Sequence, residues 1–452
     1  MSCGPSDIDL KMKKKQSDYE ACIDVALKAA KRLGAHEAEV SLSESAGLSV
    51  AVRNHEIETL EYDQNKTMVI TVYLEQCKGS ASTSDFSTKA IKEAVCVALE
   101  IARFTSKDEF SGLPLSEDLA WDYPDLDLYH PWKLKVNTAS DLALACEVAA
   151  LKCDKRITNS EGVTLSSHQS MRLYGNSHGF VGCYPSSTHS LSCSVIASEN
   201  GRMQRDSWYT ISRDAEFLET PQKVGRIAAK RALARLNARQ IPTAKYPVLF
   251  SPAMSAGLMA HFISAINGNA IYRNASFLLD ALDTVIFPEW MHIYEQPHMI
   301  GALGSVPFDA EGVKTSSRNI VDAGRLQTYV LNSYSARKLK MKTTGNAGGV
   351  HNLHVEPGKN NFNAMLKEMH QGLFVTELMG QGINTVTGDY SRGASGFWVE
   401  NGKIQYPVEE ITIAGNLKNM FRQIVAVGND IDLRYATRTG SILLEEMMIA
   451  GQ

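Results

Sequence analysis

The chain has 452 residues, of which 44% are hydrophobic and 21% charged, with a formal net charge of −4. This is an ordinary globular composition, with length for two or three domains. The weak negative charge argues against binding nucleic acid by phosphate neutralisation, and no apolar run approaches the ~20 residues that span a bilayer.

In chain order, Lys11, Lys13, Lys14 and Lys15 precede no apolar core, so residues 1–16 are expected to be a disordered tail rather than a signal peptide. Ser17-Asp18-Tyr19-Glu20 has the form of a capping box. Ile23, Ala26, Leu27, Ala30 and Leu33 then recur at helical spacing up to Gly34. Alternation over 39–42, 48–52 and 67–73 predicts strands. A second helix is predicted over 87–104, with Ile91, Val95, Leu99 and Ala102 on one face. Helix, strands and helix make an α+β unit. Residues 105–136, with Pro114, Pro124 and Pro131, read as a long ordered loop or a linker. A third helix is expected over 139–153 and strands over 157–213, where His168, His178 and His189 could converge on a metal. Thr220-Pro221 opens a helix carrying Lys223, Arg226, Lys230, Arg231, Arg235 and Arg239. Its end at Ile241-Pro242 is taken as the boundary between an N-terminal domain (17–240) and a C-terminal one (241–452).

All eight cysteines lie at or before Cys193, with no C-x-x-C pair, and read as reduced thiols of a cytoplasmic protein. Residues 247–250 predict a buried strand, and Ser251-Pro252 a helix start, with Ser as N-cap. The helix is almost wholly apolar or small (Met254, Ala256, Leu258, Met259, Ala260, Phe262, Ile263, Ala265) and closes at Asn267-Gly268. Its one group with catalytic chemistry is His261, and no Asp or Glu lies between Ser251 and Asn267. The rest is Gly-rich and β-like: a turn at 307–312, strand–turn–strand at 319–327, and the glycine loop Thr344-Gly345-Asn346-Ala347-Gly348-Gly349. That loop lacks the lysine and helix of a phosphate cradle. His351, His354 and Glu356 offer possible ligands; on a strand, His354 and Glu356 share a face and His351 points away.

Thr387-Gly388-Asp389-Tyr390-Ser391-Arg392-Gly393, with Ile411–Leu417, Pro307–Gly312, Thr344–Ala347 and Ala81-Ser82-Thr83-Ser84-Asp85, resembles the TldD/PmbA family, the modulators of DNA gyrase, and within it the PmbA (TldE) branch. The resemblance covers residues 18–452. It implies an α+β N-terminal domain, a mostly antiparallel, barrel-like C-terminal domain, and a cytoplasmic dimer in which TldD-like and PmbA-like chains form a zinc peptidase acting on unfolded or short peptides. Such pairs mature a peptide antibiotic and turn over antitoxins. In TldD the corresponding helix carries His-Glu-x-x-x-His and a distant cysteine adds a ligand. Here those helix positions hold Ala260, His261 and Ala265, and no cysteine follows Cys193. The resemblance therefore implies a chain without its own metal, a zinc-bearing TldD-like partner, and a homodimer as the alternative when that partner is absent. Peptide substrates, but no nucleic acid or membrane, are expected. Asn346, Tyr390 and Arg392 are the substrate- or partner-binding candidates. The alternatives are a self-sufficient peptidase using ligands such as His354 and Glu356, and a non-proteolytic binding modulator.

Overall fold

The computed structural model describes residues 7–451, with side chains from Lys14 onward. Helix α1 (Asp7–Arg32) runs unbroken through Ser17–Glu20, so residues 7–16 are helical rather than a tail, and the expected cap is internal. Local contacts favour continuation: Gln16 donates to Glu20 at 2.8 Å, and Tyr19 donates to Glu44 at 2.6 Å, with Lys15 pairing to the same carboxylate. The rest of the expected tail, residues 1–6, lies outside the described residues.

Strands β1 (Glu37–Arg53), β2 (Glu56–Leu74) and β3 (Cys77–Thr83) follow, then helices α2 (Thr88–Phe104) and α3 (Val136–Leu151). Three long strands come next, β4 (Ile157–Asn176), β5 (Val181–Glu199) and β6 (Arg202–Ser212), and then α4 (Pro221–Ala234). They form one six-stranded sheet in the order β3-β2-β1-β4-β5-β6. Strand periodicity puts Ala38, Val40, Leu42, Leu48, Val50 and Val52 of β1 on one face. The first three join a core with α1 and α2, the last three a core with α3 and α4. The opposite face is rich in hydroxyls, some paired across strands, as in Ser49–Ser166 at 2.9 Å and Ser170–Ser186 at 2.8 Å. Helices α3 and α4 meet where Gly225 leaves room: a Cβ there would lie 2.2 Å from the Cys146 carbonyl oxygen. The basic residues after 220 are largely engaged. Arg231 and Arg235 pair with Asp206, Arg235 also with Glu377, and Arg239 stacks over Tyr406 at 4.8 Å.

The second half opens with β7 (Ala244–Phe250), α5 (Pro252–Ala265) and α6 (Gly268–Tyr272). Small elements come next: β8 (Ile293–Glu295), β9 (Arg318–Asp322), β10 (Arg325–Leu326), α7 (Ser333–Lys338) and β11 (Leu353–Val355). The chain ends with α8 (Phe362–Met369), β12 (Gly372–Met379), β13 (Asp389–Glu400), β14 (Lys403–Asn416), α9 (Leu417–Arg422), β15 (Ile424–Val427), β16 (Thr437–Arg438) and β17 (Ile442–Ala450). Pairings β12–β13, β13–β14, β14–β17, β17–β7 and β7–β12 close a ring, so the expected barrel is present. All but β7–β12 are antiparallel. Its inner rows (Val248, Phe250, Leu373, Val375, Tyr390, Ala394, Ile413, Leu444) share one core with α5. The outer rows (Leu249, Phe374, Val399, Leu443) pack on Met365, Leu366 and Met369 of α8. Ser251 stands at the N-cap of α5 but makes no side-chain cap; its amide instead donates to Val375 O at 3.0 Å. None of the seven cysteines described is in a disulfide.

Candidate functional site

Helix α5 is amphipathic in size rather than polarity. Leu258, Met259, Phe262 and Ala265 are buried, Phe262 meeting Phe287 and Phe421 edge-on at 5.0 and 5.9 Å. Ala260 and Ser264 face solvent, and His261 is half-buried between the two sides. At its N-terminal end the helix borders a groove of about 870 Å³ lined by Met254, Trp208, Tyr209, Phe362 and Tyr435. Beyond its C-terminal end, α6 borders a cavity of about 540 Å³ at the junction of the two halves, lined by Tyr272, Tyr334, Glu39, Tyr73 and Glu311.

Between these two openings β13 brings Tyr390 and Arg392 to the helix. The His261 and Tyr390 rings meet edge-on at 6.1 Å. Tyr390 and Arg392 are two apart on the strand and share its inner face, with the guanidinium near enough to act on the phenol. Arg392 Nη2 donates to Leu378 O at 3.4 Å, while its Nε is buried without a partner. Burial pushes the His261 imidazole below its usual range, and the charge of Arg392 adds to the effect. Burial lifts Tyr390 to about 12, opposed by Arg392. Three residues from two segments, α5 and β13, thus form one constellation of imidazole, phenol and guanidinium. The convergence of His261 with Tyr390 escaped the sequence reading. Its signal was the alternation Tyr390, Arg392, Ala394, which places an arginine in an apolar row.

The residues of this face do not fit a zinc ion. Such an ion needs about three nitrogen, sulfur or carboxylate donors; here an exposed methyl stands at 260, a fully buried one at 265, and one imidazole at 261. Among the described residues no group of three or more His, Cys, Asp and Glu side chains is arranged to hold a metal. The other histidines are dispersed. His168 lies 3.7 Å from Asp63, His178 lies 3.5 Å from Glu37, and His189 is buried between Ser167 and the His130 carbonyl, so the three do not converge. His354 stacks on Tyr294 at 5.1 Å with its Nε2 against Met299, and Glu356 is exposed. His351 is buried and pushed down to about 4 by that burial. Asn346 stands apart from Tyr390 and Arg392. It is buried, its amide donating to Glu295 at 2.8 Å and to Gly349 O at 3.0 Å, which suits pinning the glycine loop rather than contacting a ligand. Glu295 itself was not singled out from sequence. It accepts from Asn346 and from the His351 amide, and burial raises it to about 7.

Family models for the PmbA/TldA metallopeptidase match in three consecutive pieces: domain 1 over 38–102, the central domain over 129–236 and the C-terminal domain over 243–451. Metalloprotease PmbA from Escherichia coli O157:H7 is 52% identical over 92% of this chain and 92% of its own. The chain belongs to the PmbA/TldD metallopeptidase family. A PmbA homologue from Haemophilus influenzae is 48% identical over 97% of this chain and 98% of its own. A TldD homologue from Buchnera aphidicola aligns at 21% identity over 85% of this chain and 83% of its own. Among solved structures, one from Bacteroides thetaiotaomicron, whose name refers to modulation of DNA gyrase, superposes with TM-score 0.91 at 29% identity, covering 96% of this chain and 99% of that one. TldE from Thermococcus kodakarensis shares the fold, with TM-score 0.84 at 20% identity over 95% and 100% of the two chains. Among the described residues no helix is long and apolar enough to cross a membrane.

Proposed function

We propose that this chain is the PmbA/TldE-type subunit of a cytoplasmic two-chain zinc metallopeptidase, and that a TldD-like partner carries the metal. The observation that carries the reading is the donor set on α5: two methyl groups and one imidazole, with no carboxylate to move a proton. Its contribution would be to complete the enclosing chamber and hold an extended peptide by backbone hydrogen bonds, along the small-residue face of α5 between the two openings. Ala260 and Gly257 allow close approach there, since a Cβ at Gly257 would meet nothing within 4 Å.

The test is reconstitution. The chain is purified alone and together with the TldD-like chain of the same cell, and hydrolysis of a casein-derived peptide pool is followed by mass spectrometry. The pair is expected to co-purify and cleave, and the chain alone to leave the peptides intact. Zinc-dependent cleavage by the chain alone would overturn the reading. That outcome would favour a self-sufficient peptidase, to which the metalloprotease names of the relatives lend weight. Neither cleavage nor pairing would favour a binding modulator.

A further inference from the structure

Arg392 occupies a position that its surroundings do not explain. On β13 it stands in the inner row of the barrel between Tyr390 and Ala394, which are 2% and 0% exposed. An arginine in an apolar row is normally matched by a carboxylate, because an uncompensated charge there is destabilising. None is present. Asp389 points to solvent and bonds Thr387 and Asn416, and Glu377 is held by Arg235 and Ser395. Among the described residues, Arg392 is the charge found to act on both His261 and Tyr390. Its own hydrogen bonding is incomplete: the Leu378 carbonyl at 3.4 Å accepts from Nη2, and the buried Nε has no partner. Buried donors left open in this way call for an explanation.

We infer that Arg392, with the Tyr390 hydroxyl beside it, is a binding site for a carboxylate reached from the open face of α5. A guanidinium presents paired donors that match the two oxygens of a carboxylate. One cationic group suits a singly charged anion. On α5, Ala260 and Ser264 beside His261 face solvent, and His261 in turn meets Tyr390. The carboxylate would come from a peptide, as its C-terminus or as an acidic side chain. The inference deepens the proposal that this face holds peptide, and rests on it for the identity of the ligand.

The experiment is calorimetric titration of the full chain, without partner, with three probes. These are N-acetyl-tetra-alanine as the free acid, the same peptide as its C-terminal amide, and that amide with one alanine replaced by glutamate. The free acid is expected to bind about tenfold or more tightly than the neutral amide. Arg392→Gln should abolish the difference, and Arg392→Lys, which keeps the charge but loses the fork, should retain part of it. If Arg392→Gln does not fold, the acid–amide comparison on the unaltered chain stands by itself, with Tyr390→Phe as the milder variant. Binding of the glutamate peptide as tightly as the free acid would assign the site to side-chain carboxylates; weaker binding would assign it to the C-terminus. Equal affinity for acid and neutral amide, or no binding of any probe at about 10 mM, would overturn the inference. Failure to co-purify with a TldD-like chain would sink the subunit reading without touching this result.

Discussion

Arg337 on α7 reaches out of the C-terminal half to clasp the loop that follows α2. Its Nε, Nη1 and Nη2 donate to the carbonyls of Phe110, Leu113 and Gly112 at 2.7, 2.9 and 2.8 Å. A hydrogen bond involving a charged group contributes ~1.5–3 kcal/mol. Three such bonds would sum to more than the true effect, because the site is only partly buried and water can reach the freed carbonyls. Tyr334 and Lys338 also still hold Asp108 in the same loop, at 2.6 and 3.5 Å. Arg337→Ala is therefore expected to destabilise the docked loop by about 3 kcal/mol, roughly a hundredfold in its opening equilibrium. Arg337→Lys should lose about 2 kcal/mol, since an ammonium cannot span the fork. Native-state hydrogen exchange reads this locally, with no need for a two-state global transition. The reporting amides are those of Ser111 and Leu113, bonded to Asp108 O at 2.9 Å and Glu37 at 3.0 Å. Protection unchanged within about threefold in Arg337→Ala would refute the reasoning, because open carbonyls cannot be that inexpensive.

Burial lifts Glu295 from 4.5 to about 7, and burial followed by the charge of Glu311 lifts Asp309 to about 7. The native state then binds protons that the unfolded chain releases, so stability should fall as pH rises through that window and level off above it. For Glu295 the loss is about 3 kcal/mol at most. Urea midpoints at pH 5 and 8 should differ less in Glu295→Gln than in the unaltered chain; an undiminished difference would show that Glu295 is not the source. Gly225→Ala should lower the thermal midpoint, the overpacking of α3 on α4 costing about 3 kcal/mol. An unchanged midpoint would mean that the two helices part freely.

Much of the local structure was legible in sequence. Helix α2 has the expected face, with Ile91, Val95, Leu99 and Ala102 buried, because a 3.6-residue apolar period has one cheap interpretation. The pairing of β7 with α5 and the strand–turn–strand of β9 and β10 were likewise visible, since turn residues and apolar runs act locally. Other features depend on partners distant in the chain. The extension of α1 rests on Glu44 in β1, and ring closure rests on a short β14–β17 pairing, Thr412 to Ala450 and its neighbours. Nothing in either segment names its partner. The site divides in the same way. Ala260, His261 and Ala265 were found because a family pattern spans contiguous residues. The meeting of His261 with Tyr390 and Arg392 was not, because it follows from how the barrel folds back on α5. Asn346, singled out for its glycine loop, serves Glu295 instead, as buried amides commonly do.

The central claim is that this chain contributes no metal of its own to a family defined by metallopeptidase activity. The measurement that tests it most directly is the zinc content of the purified chain after zinc loading and desalting, read by plasma mass spectrometry. The account predicts far less than one zinc per chain, unchanged in His261→Ala. One tightly held zinc per chain would contradict it.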